Sequence, residues 1–227
     1  MTIFDFAVGQ TNPDTFPVRA FAEAGQRAIE REHYAYNQYP GPKGHPGLRR
    51  LMAARESERE GVFVDPECLA LTNGSMQVVT LVGQALKVAE GDTVITEMFS
   101  YSGAISAYEG IVLNLIGVGL DEEGMRIDLL VAAIEAQIKT GKKPRLIYNL
   151  SRYQNPTGTC MSIARRGQLL EVARQFDIVV IQDNCYGDVD FEGAVEPSLF
   201  AIDNYVKHIC IGSLSKIFAP GVRLGYL

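Results

Sequence analysis

The chain has 227 residues, 47% of them hydrophobic, enough to bury a sizeable core as one large domain or one and a half. Its formal charge of −6 argues against nucleic acid or an anionic membrane surface as the partner. No apolar run approaches the roughly 20 residues that span a bilayer, and the opening MTIFDFAVGQ reads as the start of folded protein, with no basic-then-apolar leader.

In chain order, VRAFAEAGQRAIERE (18–32) has helical spacing and follows a proline. HYAYNQYPGPKGHPG is rich in Tyr, Pro and Gly and reads as loop, and LRRLMAARESERE reads as a second helix with a charged outer face. A rhythm then begins. Strands are predicted at 69–72, 92–97, 111–118, 145–150, 177–183 and 207–213, with a short one after Arg223. Helices are predicted between them at 76–89, from Ser100, at 126–139 and at 162–176. Such alternation implies an α/β fold: right-handed crossovers and a mostly parallel sheet with helices on both faces. Ligands of such sheets gather outside the carboxyl ends of the strands. The polar residues that follow each apolar run are therefore the candidates for one site.

After the first strand comes Asn73-Gly74-Ser75, where exposed N–H groups at a helix start favour a phosphate; an ordinary Ser N-cap would look the same. After the second comes Tyr101, which suits stacking on a planar ring or packing on the core. After the fourth comes YQNPTG, where Pro156 holds Asn155 extended and the Thr-Gly pair turns the chain, or which is a loop and nothing more. The fifth ends in Asp183, with Tyr186 three residues later. A carboxylate there needs a positive partner, either a protonated heterocyclic nitrogen or a structural arginine. Ribose recognition is a third reading, but no G-x-G-x-x-G follows the first strand.

The sixth strand ends in Ser213-Leu214-Ser215-Lys216, with Arg223 seven residues on. An amine beside a fixed cation is a usable nucleophile toward a carbonyl. The arginine and the serine hydroxyls suit a phosphate. Together the strand ends supply a phosphate cradle, a ring stacker, donors for a ring oxygen, an acid for a ring nitrogen and a Schiff-base lysine. Those are the parts that pyridoxal 5'-phosphate requires. Cys68, Cys160, Cys185 and Cys210 have no C-x-x-C spacing, which reads as reduced thiols in a cytoplasmic protein without disulfides or metal. His33, His45 and His208 are scattered and form no ligand set.

NGS, the tyrosine after the second strand, QNPTG, D-x-x-Y and SLSKIFAPGVRLGY together resemble the class I/II aminotransferases, pyridoxal-phosphate enzymes of fold type I. The resemblance runs from about Phe4 to the last residue. It implies that Lys216 forms the Schiff base and moves the substrate's α-proton, and that Asp183 pairs with the pyridinium nitrogen. Asn155 and Tyr186 would bond the phenolic oxygen, and Tyr101 would stack on the ring. Gly74, Ser75, Met76, Ser213, Ser215 and Arg223 would hold the phosphate. YPGPKGHPGLR is similar to a family segment whose tyrosine, Tyr39 here, reaches the phosphate of a neighbouring subunit; this implies a homodimer with shared sites. Gly9, and Asn155 again, would line the substrate's carboxylate pocket.

Residues 1–60 are then the amino-terminal and dimer-contact segment, and 61–227 the cofactor-binding large domain. Two positions depart from the pattern: Met76 stands where many relatives carry Gln, and no proline precedes Tyr101. Family members also continue past the position of Leu227 into a small domain whose arginine pairs with the substrate carboxylate. The activity implied is amino transfer between an L-amino acid and a 2-oxo acid. A C–S lyase of the same fold and a non-catalytic effector domain are the alternatives.

Overall fold

A computed structural model describes residues 9–87, 89–191, 196–203 and 205–227. Residues 1–8, most of the opening stretch read above as the start of folded protein, lie outside them. Seven strands form one sheet in the order β1-β9-β8-β7-β6-β2-β3. They are β1 (Leu71–Asn73), β2 (Thr93–Glu97), β3 (Asn114–Val118), β6 (Leu146–Asn149), β7 (Val179–Asp183), β8 (His208–Ser213) and β9 (Leu224–Tyr226). β4 (Leu120–Asp121) and β5 (Gly124–Met125) make a separate short hairpin that the sequence reading overlooked. β8, β7, β6, β2 and β3 run parallel, while β9 is antiparallel to both of its neighbours.

The parallel strands are short apolar runs, as burial on both faces requires. All five residues of β2 are buried. Side-chain alternation divides the sheet into two faces. Ile95, Ile147 and Val180 face the core shared with α5 (Ile127–Lys139) and α6 (Ile163–Phe176). Val94, Leu146, Tyr148 and Ile181 face α3 (Ser75–Leu86) and α4 (Ser102–Gly110).

The helices α1 (Val18–Glu32) and α2 (Pro46–Glu60) precede the sheet. α1 occupies the residues read as helical and buries none of its side chains. α2 packs Met52 and Ala53 on Leu69 and Tyr226. The Tyr/Pro/Gly stretch read as pure loop contains a 3-10 turn, His33–Asn37, and Pro46 already begins α2. Proline fits there because the first helical N–H has no acceptor in any case. α7 (Leu199–Ile202) is a single turn before β8. Among the described residues no helix is long and apolar enough to cross a membrane.

Candidate active site

At the carboxyl ends of the parallel strands lies a cleft of about 830 Å³. Ser75, Met76, Tyr101, Asn155, Asp183, Tyr186, Ser213, Ser215, Lys216, Arg223 and Gly9 all line it. Five separate strand ends thus converge on one volume.

The β1–α3 turn is built by glycine. Gly74 has φ +79°, and a Cβ there would lie 2.2 Å from Arg223 Nη2, so only a bare backbone lets the guanidinium approach. Gly74, not Ser75, is the N-cap of α3, and no side chain caps that end. The alternative of an ordinary Ser N-cap is therefore wrong. Arg223 donates to the carbonyls of Asn73 (3.3 Å) and Pro220 (3.2 Å). Among the described residues no carboxylate pairs with it. An uncapped helix start beside an arginine held only by carbonyls has donors and positive charge to offer an anion.

Tyr101 is the N-cap residue of α4 and is half-buried. Its ring lies over Gly103, where a Cβ would come within 2.6 Å of it. Gly158 has φ +75° and turns the loop after Asn155, and the Asn155–Pro156 peptide is cis. Asn155 Nδ2 donates to the Tyr186 hydroxyl at 3.2 Å, which joins the YQNPTG loop to the turn after β7. Burial raises the Tyr186 hydroxyl above its ordinary range, and the Asn155 bond opposes that.

Asp183 is 4% exposed. Its Oδ2 accepts from the Tyr148 hydroxyl at 2.7 Å, and its Oδ1 accepts from the Cys185 N–H at 3.2 Å. Among the described residues no arginine pairs with it, and its donors, the Cys185 thiol included, are neutral. Burial, with the Asp183 charge adding to it, pushes the Tyr148 phenol far above its usual range, so that group stays a donor.

Lys216 Nζ donates to the Gly9 carbonyl at 2.9 Å and lies 5.9 Å from the centre of the Tyr186 ring. The Ser213 hydroxyl accepts from the Ser215 N–H at 3.2 Å, which shapes the turn that carries the lysine. Tyr39 lies apart from this cleft and is fully exposed, at 102%.

The sequence reading missed Tyr148, Glu97 and Gln154. Tyr148 was legible in principle: it pairs with Ile181, which shares a face with Asp183 two residues on. That inference needs the strand register, which a single sequence does not supply. Cys185 was noticed only as a thiol. It lines the cleft, and burial raises it well above the usual thiol range.

The fold and cleft place the chain in a family. It belongs to the aminotransferase class I and II family, whose model matches residues 2–227. It is 32% identical over 225 residues to aromatic-amino-acid aminotransferase 1 of Thermococcus litoralis, covering 99% of this chain and 54% of that protein. An archaeal alanine:glyoxylate aminotransferase superposes with a TM-score of 0.89 at 35% identity, covering 97% of this chain and 54% of that one. LysN, the alpha-aminoadipate aminotransferase of Thermus thermophilus, was solved with N-(5'-phosphopyridoxyl)-L-leucine. It superposes with a TM-score of 0.82 at 32% identity, covering 97% of this chain and 55% of that one. The chain thus spans about half the length of the relatives it matches.

Proposed function

We propose that the cleft binds pyridoxal 5'-phosphate and that the protein is an aminotransferase, active as a cytoplasmic homodimer on an L-amino acid and a 2-oxo acid. The observation that carries this reading is the convergence of Lys216, Asp183, Tyr101, the Asn155–Tyr186 pair and Arg223 on one cleft. The residues fit the group. The anion site at Gly74 and Arg223 suits a dianionic phosphate, and Asp183, met only by neutral donors, suits a protonated ring nitrogen.

When bound, the cofactor supplies an aldehyde for amines and a sink for the electrons released as the substrate's Cα–H bond breaks. The chain does the rest. The N–H groups of Gly74, Ser75 and Met76, the hydroxyls of Ser213 and Ser215 and the Arg223 guanidinium bind the phosphate. Tyr101 covers one ring face, and Asn155 and Tyr186 hydrogen-bond the phenolic oxygen. Asp183 keeps the ring nitrogen protonated.

The Lys216 amine would anchor the cofactor, and its Nζ would serve as the base that takes the α-proton and hands it on rather than back to Cα. Gly9, whose carbonyl holds Nζ, lies where the substrate carboxylate would sit beside Asn155. Tyr39, exposed and away from its own cleft, is free to reach the phosphate in a second copy.

Lys216→Ala tests the assignment. The variant should lose both transamination and the visible absorption band that forms when pyridoxal phosphate is added. Unchanged turnover would overturn the assignment. Ammonia release without need of an oxo acid would favour the lyase, and a band without turnover an effector domain.

A further inference from the structure

Glu97 ends β2 on the face toward α5 and α6, and is 1% exposed. Its Oε1 accepts from Asn149 Nδ2 at 2.8 Å; its Oε2 accepts from the Leu150 N–H at 3.2 Å and from Gln154 Nε2 at 3.1 Å. All three donors are neutral amides, and among the described residues no cation pairs with this acid. Burial, with the Asp183 charge adding to it, raises Glu97 to about 8 against the pull of the Gln154 and Leu150 bonds.

A neutral acid has a proton to donate. Asn149 Oδ1 is buried without a partner, on the same side-chain amide that meets Glu97. Turning that amide over brings an acceptor to Glu97 in place of a donor. The Asn149 amide can therefore meet Glu97 in either protonation state, with a donor when it is ionised and an acceptor when it is protonated.

Gln154 carries this choice to the cleft. Its Nε2 also donates to the Phe99 carbonyl at 2.5 Å, and its Oε1 accepts from the Thr157 N–H at 2.9 Å and hydroxyl at 2.7 Å. Phe99 is two residues from Tyr101, and Gln154 adjoins Asn155. One side-chain amide fastens both loops, and Glu97 anchors it.

We propose that Glu97 is a positioning residue whose ionisation sets how Gln154 holds the Tyr101 and Asn155 loops, so that the shape of the cleft follows pH. The meaning of those two contacts rests on the cofactor reading above. The ionisable group whose charge reaches Glu97 is Asp183 of β7, on the other face of the sheet. β6 and the two loops present amides and carbonyls to it; Arg152 of the loop after β6 is turned to the Gly187 carbonyl and to Glu60, and Arg166 of α6 to the Ser151 carbonyl and to Glu196.

The experiment is an NMR titration of the chain from pH 6 to 10. It follows the Gln154 side-chain amide, the Leu150 backbone amide and the Glu97 carboxyl carbon. All three should shift with one midpoint near 8, and in Glu97→Gln the two amides should stay flat. Pyridoxal phosphate affinity should change about tenfold across that midpoint in the wild type and not in the variant. A Glu97 carbon that titrates in the ordinary carboxylate range, or amides that ignore its ionisation, overturns the proposal; the wild-type titration decides even if the variant does not fold. Amides that titrate in a protein that never binds pyridoxal phosphate uphold the coupling and sink the cofactor reading instead.

Discussion

Asp183 and Glu97 close two strands of one sheet at the same end, both nearly buried, on opposite faces. Asp183 takes the Tyr148 hydroxyl, the Cys185 N–H and the Cys185 thiol, and opens on the cleft. Glu97 takes three amides and is not among the residues that line the cleft. Burial alone does not separate their roles. What separates them is what remains to be filled: Asp183 leaves acceptor capacity toward the cleft, where a positive ligand fits. Glu97 has its acceptors met from inside the chain, and a proton is what it still lacks.

The largest test of this contrast is the pH dependence of stability. Folding raises Glu97 from 4.5 to about 8, so it favours the protonated form. The stability this contributes is complete below the unfolded value and is lost as pH rises through the folded one. Relative to Glu97→Gln, the wild type should lose up to about 4 kcal/mol between pH 5 and 8 in urea unfolding. The difference between the two proteins cancels other buried groups, such as His208, which burial lowers to about 4. A difference that stays level across this range would make Glu97 an ordinary acid and erase the comparison.

Next in size is Asp183→Asn. The amide oxygen can still accept from Tyr148, so the fold and the urea midpoint should change little. Pyridoxal phosphate affinity should fall about 100-fold, because a positive ring nitrogen then meets no charge. At pH 7 Glu97→Gln should stay within about tenfold of wild type. Equal losses in the two variants would show that the acids are interchangeable.

Much of this was readable from the chain itself. The apolar runs at 92–97, 145–150, 177–183 and 207–213 gave strands to within two residues, because a doubly buried strand has few polar positions to blur its limits. The run at 111–118 was overextended by three, since Ile111, Val112 and Leu113 are apolar yet belong to the turn that ends α4; Val112 has φ +60°. Residues at strand ends that line the cleft announce themselves as polar groups in apolar context, and Asp183, Asn155 and Lys216 all did. Groups that support them did not. Tyr148 sits inside a strand and reads as core, and Glu97 and Gln154 meet across 57 residues of sequence. The antiparallel entry of β9 between β1 and β8 also depends on long-range pairing that periodicity does not encode.

The smallest effect falls on Tyr148 and says most about Asp183. Tyr148→Phe keeps a ring packed edge-on against Tyr108, 5.9 Å between centroids, and removes only the hydroxyl. A hydrogen bond to a buried acceptor is worth about 1 kcal/mol net, so the stability in urea unfolding should drop by that much. Pyridoxal phosphate should bind nearly as well, since the carboxylate keeps its charge and the Cys185 N–H still orients it. Should Tyr148→Phe instead lose as much affinity as Asp183→Asn, the orientation of the carboxylate would outweigh its charge. Asp183 would then depend on a supporting neighbour as Gln154 depends on Glu97, and the two faces of the sheet would work in the same way.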